Sequence, residues 1–491
     1  MKASASGIAV GSSDDRKGGG SRITLGLGLG FGAGATLNGV AQTGLAAGLI
    51  QVYLNQVLGA PPLLVGQAIM ISLIIDAVAD PLIGVWSDRT RSPLGRRHPF
   101  LFVAILPAAL AFFGLWNPPA SLSGVGLIGF SLAMLTLVRL AVSLYEIPSN
   151  ALTAELTSDY GERTRLQSFR WFFVVVSGAG GSMLLNLVFL RRNGILYRAG
   201  YAHWAAFEAA AILIMTTLSA FTTLRRLPDL PKAQPRGGQT FSKTLRELRL
   251  TLSNRSLAAL MGAGFLSGIS QSITLGLSIY MFNHFWGLAP KQYGWLAPLH
   301  ALGSVTAVFV APHLVRRFGK KPAMLSLFTL AVVTQAGPVF LRLVGAMPVN
   351  GSPWILPILA ADGFITSGLG IAGYIIAASM VADIVEDAAV RSGVRSEGLL
   401  YAAYGLLPKI TAGVGALITG VLLTLVHFPA HAALGAVDPA IMRRLALLYL
   451  PFTFGISLCA LAALTLYRID QNAHELNLRR LGLETPVDAS P

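Results

Sequence analysis

IDAVADPLIGVWSDRTRSPLGRRHP, residues Ile75–Pro99, joins the end of an apolar run to a strongly basic turn. The run extends from Leu63 to Trp86, long enough to cross a bilayer as a helix. Asp76 and Asp80 interrupt it at a spacing of i and i+4, which puts both carboxylates on one helix face, with Cβ atoms about 6 Å apart. An Asp at the bilayer centre costs about 2.5–3.5 kcal/mol even on the lenient insertion scale. Two like charges that close stay ionised in a low dielectric only if a cation or proton sits between them. The pair therefore reads as a site for a monovalent cation; the competing reading has each acid merely pairing with a buried Arg or Lys. The turn that follows, with four arginines and two prolines, must lie in water.

The whole chain fits that beginning. It has 491 residues, 54% apolar and only 12% charged, about half the charged share of a soluble domain, so it cannot be wrapped in a polar surface. A net charge of +15 would suit a nucleic-acid partner, but the basic residues sit in alternate loops, as in a polytopic membrane protein. No nucleic acid is expected. The single cysteine, Cys459, lies in an apolar helix and reads as core.

Residues 1–24 form a polar, basic tail without a signal-peptide core. Apolar runs follow near 25–54, 63–86, 100–117, 124–147, 168–190 and 205–224, and then near 257–283, 290–315, 322–345, 352–380, 398–427 and 443–467. That predicts an all-α membrane protein of about twelve spans in two six-helix halves, 25–224 and 257–467, with a linker at 225–256 and a tail at 468–491. Arginines after spans 2, 4 and 10, and the basic turn after span 8, place both termini in the cytoplasm, against the contrary charges Arg191, Arg192, Arg198, Arg443 and Arg444. Leu94-Gly-Arg-Arg-His-Pro99 after span 2 is echoed by Phe318-Gly-Lys-Lys-Pro322 after span 8. Parallel repeats of this kind suit two halves related by an axis along the membrane normal. The linker leads into Ser242–Leu252, where leucines at helical spacing oppose Arg246 and Arg249 and predict an amphipathic surface helix.

Further charges fall within or beside spans. Glu146 ends span 4, Arg170 opens span 5 and Lys409 lies inside span 11. Lys409 would offset part of the Asp76/Asp80 charge across the two halves. Glu146 and Arg170 form either a polar floor for a polyhydroxylated solute or a plain inter-helix ion pair. Arg139 and Glu208 are expected to pair locally, whereas Asp362 in span 10 has no evident partner. Asp88, Arg89, Arg96 and Arg97 read as a gate that latches the halves on the cytoplasmic side. Trp86, Trp171, Trp286 and Trp354 fit interfacial belts. His427 and His431 have a metal-like spacing, but Pro429 between them breaks a helix and no metal centre is expected. No nucleophile–base arrangement or phosphate loop occurs, so an enzyme is not expected, and the tails are too short for the signalling domain of a membrane sensor.

At Asp76-Ala-Val-Ala-Asp80-Pro81 and Gly95-Arg-Arg-His-Pro99 the sequence resembles the glycoside–pentoside–hexuronide:cation symporters, the melibiose-carrier branch of the major facilitator superfamily. The likeness continues at Tyr145-Glu-Ile-Pro148, Phe169-Arg-Trp-Phe172, Met380–Val385, Arg395-Ser-Glu397 and Pro408-Lys409. It implies the twelve-helix major facilitator fold and cation-coupled sugar uptake. It also implies that the span-2 aspartates hold Na+, Li+ or H+, that Glu146 and Arg170 touch sugar, and that Lys409 acts near the cation. Where sugar-binding members often carry an acid in span 1, this chain reads Leu37-Asn-Gly-Val-Ala-Gln42, leaving Asn38 and Gln42 as the polar candidates. Ala79 and Gly405 offer no side-chain oxygen. Sodium wants several oxygen ligands and a proton only one carboxylate, which favours H+ over Na+. The expectation is a monomeric inner-membrane symporter of a small solute, a sugar or glycoside, with no cofactor beyond its coupling ion. A carrier of an amphipathic, lysolipid-like solute on the same fold is the alternative.

Overall fold

Proline and polar caps start several of the helices. Pro62 and Pro439 open α4 (Pro62–Arg89) and α15 (Pro439–Thr465) at the first position, where a missing N–H costs nothing. Asp438 caps α15 through the Ala440 amide. The computed structural model describes residues 23–157, 159–191, 194–226, 255–392 and 397–467, and among these there is no strand. Both tails, the linker with its expected amphipathic helix and the Arg395–Ser396 turn lie outside the described residues.

The other long helices are α5 (His98–Trp116), α6 (Gly124–Leu156), α7 (Tyr160–Leu184), α8 (Arg198–Leu224), α9 (Arg255–Tyr280), α11 (Leu296–Phe318), α12 (Lys320–Leu343), α13 (Ile355–Ser392) and α14 (Glu397–Leu425), with a short α10 (Pro290–Tyr293). Among the described residues, eleven helical segments are long and apolar enough to span a membrane. The expected first span is instead broken into α1 (Leu25–Ala33), α2 (Thr36–Gly44), α3 (Ala47–Val52) and a π turn, Tyr53–Val57. Its Gly-rich sequence explains the breaks, since each helical Gly costs about 0.8–1.0 kcal/mol relative to Ala. Among the described residues, seven prolines (81, 107, 148, 312, 338, 408 and 451) lie inside helices beyond the first turn. Membrane helices tolerate them because neighbours re-satisfy the freed carbonyls.

The repeated basic turn is a repeated backbone. Gly95 and Gly319 both sit at positive φ, 75° and 80°, where a side chain would be strained. Lys321 donates to the Tyr467 carbonyl at 2.6 Å, and Arg165 to the Ile23 carbonyl at 3.0 Å, so both described ends lie on the face that carries these turns. We call it the terminal face.

The halves meet along α4 and α14 and between α3 and α9. Gly66 and Gly420 allow the first seam. A Cβ at Gly66 would stand 2.6 Å from the Ala416 carbonyl, and one at Gly420 2.5 Å from that of Pro62. Close backbone approach at small residues is how helices associate where lipid offers no hydrophobic drive. Toward the opposite face, Tyr280 Oη lies 3.1 Å from Asn55 Oδ1, and Gln56 donates to the Pro429 carbonyl at 2.9 Å while accepting from the Ala432 amide. His427 and His431 both take positive φ in the turn after α14, not positions on one helix face. Apolar side chains such as Leu82, Val103, Val125 and Phe309 are exposed, as a surface turned to lipid should be.

Cys459 is exposed on α15, not in the core, because its helix turns that face outward. Of the four tryptophans read as interfacial, Trp86, Trp171 and Trp354 are exposed, but Trp286 is buried. It follows the π turn Met281–Phe285 and packs edge-on against Phe285 in a buried apolar cluster.

Candidate functional site

The α4 acids and the α14 lysine come together across the two halves. Lys409 Nζ lies 2.7 Å from Asp76 Oδ2 and 2.5 Å from Asp80 Oδ2. Asp76 is buried and the Asp80 side chain is 30% exposed, so the second acid is the reachable one. On α6, Ser143 Oγ sits 3.0 Å from Asp76 Oδ1 and 2.7 Å from Asp80 Oδ1. A hydroxyl has one proton, so it can donate to only one of them at a time. One turn earlier, Arg139 Nε donates to Ser72 Oγ at 3.2 Å and is within electrostatic reach of Asp76. Two anions and two cations make a neutral cluster as it stands.

Arg139 does not pair with Glu208, as the sequence led us to expect. Arg139 turns to α4, and Glu208 packs against Gly181 and Trp204, because α6 and α8 bring these residues to different neighbours. Ser143 was missed altogether. A legible signal existed: Arg139, Ser143, Glu146, Asn150 and Thr153 recur every three or four residues, a polar stripe along α6.

Glu146 and Arg170 form a buried ion pair at 2.5 Å, with side chains 10% and 5% exposed. Arg170 also donates to Ser149 at 2.6 Å and lies 5.2 Å over the ring of Phe31. Neither residue is at a helix end, since α6 runs to Leu156 and α7 starts at Tyr160. Hydropathy fades where the polar stripe begins, yet the backbone stays helical through Pro148 to the break, and Asp159 caps α7. One carboxylate atom, Glu146 Oε1, is buried with no hydrogen-bond partner. Asn38 and Gln42 bond to each other at 3.3 Å on α2 and join neither this pair nor the aspartate cluster.

The predicted gate is knit into its own half. Glu155 Oε1 accepts from Arg96 at 2.7 Å and from Arg97 at 3.0 Å, and Arg97 also reaches Asp88 at 2.5 Å and Ser87 at 2.6 Å. Arg89 is exposed. Glu155 was not anticipated in this role, and it lies off the α6 stripe, two residues beyond Thr153.

A cavity of about 1070 Å³ opens in the C-terminal half against α2, α3 and the end of α7. None of the residues predicted from the sequence as site residues lines it. Its polar lining includes Asp362, His300, Gln335, Thr274 and Tyr449, and α14 reaches it through Leu407, Pro408 and Thr411. Lys409, on the same turn, faces the aspartates instead.

A bundle of apolar helices in paired halves with a cross-half ion cluster invites comparison with known proteins. The family described as MFS/sugar transport protein matches residues 30–472. The chain belongs to this family. Within it, the chain is 26% identical to an uncharacterized symporter of Synechocystis sp., with 76% of this chain and 80% of the relative covered. It is 24% identical to the isoprimeverose transporter of Lactiplantibacillus pentosus, over 80% of this chain and 79% of that one. Among solved structures, the xylose transporter XylE of E. coli superposes with a TM-score of 0.60 at 15% identity, covering 93% of this chain and 99% of XylE. That likeness shows the fold. The family resemblance read from the span-2 and span-11 motifs is thereby shown, and the chain is an integral membrane protein of the major facilitator superfamily.

Proposed function

We propose that this family member is a secondary active symporter that carries a sugar or glycoside with H+ or Na+ by alternating access. In this reading it works as a monomer in the inner membrane with both termini cytoplasmic. The observation that carries it is the Lys409 ammonium held between Asp76 and Asp80, one half supplying the cation and the other the anions. A cation-coupled carrier needs a site whose charge is balanced both empty and loaded. Lys409 balances it when empty. A proton or Na+ arriving at the carboxylates removes the charge that holds the ammonium, and Lys409 lets go. Because α14 also lines the solute cavity, loading at the acids is felt there. By linkage the solute must strengthen cation binding by the same factor.

Proton coupling is favoured by the donor set: two carboxylates and one hydroxyl supply few oxygens for Na+. Glu146 Oε1 is the acceptor left over for a solute hydroxyl on the N-terminal side. The decisive experiment is solute uptake into proteoliposomes with and without an imposed H+ or Na+ gradient. Asp76→Asn and Asp80→Asn carriers should exchange solute down its gradient but lose accumulation against it. Uphill accumulation by both variants would make the aspartates structural.

A further inference from the structure

Asp362 is a carboxylate two turns into a membrane helix, Ile355–Ser392, that the coupling cluster leaves unused. It sits on α13 in the wall of the 1070 Å³ cavity, and among the described residues no Lys or Arg lines that cavity. Beside it, Gln335 Nε2 donates to Thr274 Oγ1 at 2.5 Å, and Tyr449 Oη lies 3.1 Å from the same atom and within electrostatic reach of Asp362. Thr274 passes its own proton to the Ser270 carbonyl at 3.0 Å. The threonine is thus saturated, while the Asp362 oxygens and the Gln335 carbonyl remain as acceptors. Thr366, Ser367 and His300 add groups of hydroxyl and imidazole chemistry to the same wall. At another part of the lining, Phe282 and Tyr293 stack at 5.6 Å between ring centroids next to the buried Trp286, offering flat apolar faces.

We propose that this cavity binds a neutral, polyhydroxylated solute, with Asp362 accepting its hydroxyl protons, and that it rejects anionic solutes such as uronates and sulfonates. The inference rests on the reading of the chain as a sugar carrier and names the class of sugar. Paired hydroxyls match the two oxygens of a carboxylate, and hydrogen bonds to a charged acceptor are the strong ones. Aromatic faces cover the apolar side of a pyranose ring. An anionic solute would leave water for a cavity that holds a negative group and no cation, and burying an unpaired charge is the costliest transfer of all.

The test is equilibrium binding to the purified chain in lipid nanodiscs, without an ion gradient. The probes are matched pairs sharing one aglycone: p-nitrophenyl glucoside, galactoside and xyloside, with p-nitrophenyl glucuronide as their anionic counterpart. At least one neutral glycoside should bind about tenfold or more tightly than the glucuronide. Asp362→Asn should weaken the neutral probe about tenfold or more at an unchanged thermal midpoint. Should that variant fail to fold, Gln335→Ala and Thr366→Val read the same wall and should each weaken it severalfold. The proposal is overturned by a glucuronide that binds as tightly as the glycosides, by neutral binding that Asp362→Asn leaves intact, or by no neutral probe binding at millimolar concentration. Coupling plays no part in this assay. A neutral sugar bound normally by a carrier with no gradient-driven uptake would refute the symport reading alone, and gradient-driven uptake of an anion would refute this inference alone.

Discussion

Replacing Arg170 by Ala leaves a carboxylate stranded inside the bundle. The pair with Glu146 is 2.5 Å long between side chains 5% and 10% exposed. At an effective dielectric of about 20, a contact that close is worth about 7 kcal/mol before desolvation is subtracted. Removing one partner of such a pair typically costs about 3–5 kcal/mol. Glu146 would keep only the Asn150 amide at 3.4 Å, and Ser149 would lose its 2.6 Å contact as well. Protonation of the stranded acid limits the loss, so the lower end applies: about 3 kcal/mol, roughly a hundredfold in the folding equilibrium. A Glu146→Gln/Arg170→Met double variant removes both charges and should return to within about 1 kcal/mol of the parent. SDS-titration unfolding in mixed micelles reads these differences, with solute binding measured on the same preparations. An Arg170→Ala protein as stable as the parent would refute the buried-pair reasoning. Loss of solute binding in the double variant at restored stability is the result expected if the pair also touches the solute.

Ser143→Ala removes the hydroxyl shared by the two aspartates and should weaken cation-dependent stimulation of uptake about tenfold, read as a shift in the half-saturating ion concentration. Lys409→Met leaves the two carboxylates without their ammonium; it should bind solute yet accumulate none, measured as uptake against exchange. Replacing Arg96 and Arg97 together by Ala frees Glu155 and should slow transport while solute affinity stays within a few-fold; an unchanged rate would remove any gating role. Gly66→Val puts side-chain atoms where the Ala416 carbonyl stands, and should lower transport sharply while Gly26→Ala, which meets nothing within 4 Å, should not.

Much of this was legible in one dimension because a bilayer constrains sequence more tightly than water does. Apolar runs, basic turns and the repeated Gly95 and Gly319 turns marked helices and halves directly. Asp76, Asp80 and Lys409 stood out because a charge inside a span has few reasons to exist. The breaks in the first span were hidden because the Leu, Phe, Ala and Val interleaved with Gly keep a window's mean hydropathy high, while helix propensity falls with each Gly. Glu146 and Arg170 were read as helix ends for the mirror reason: a helix can go on after its hydropathy stops. Asp362 was visible as a charge without a partner, but which residues face it is a property of how α9, α11, α12, α13 and α15 pack. Nothing local in the sequence encodes that.

Residues 407 to 411 of α14 turn toward two different compartments within little more than one helical turn, about 5.4 Å of rise. A stiff rod that is read from both sides cannot twist for one listener alone. Any rotation that withdraws the Lys409 ammonium from α4 also sweeps Leu407 and Thr411 along the cavity wall. Pro408, lacking an amide hydrogen, removes one helical hydrogen bond between this turn and the one before it. A rotation there would bend first at this weakened turn, whereas the seam with α4 at Gly66 and Gly420 lies up to three helical turns further along α14.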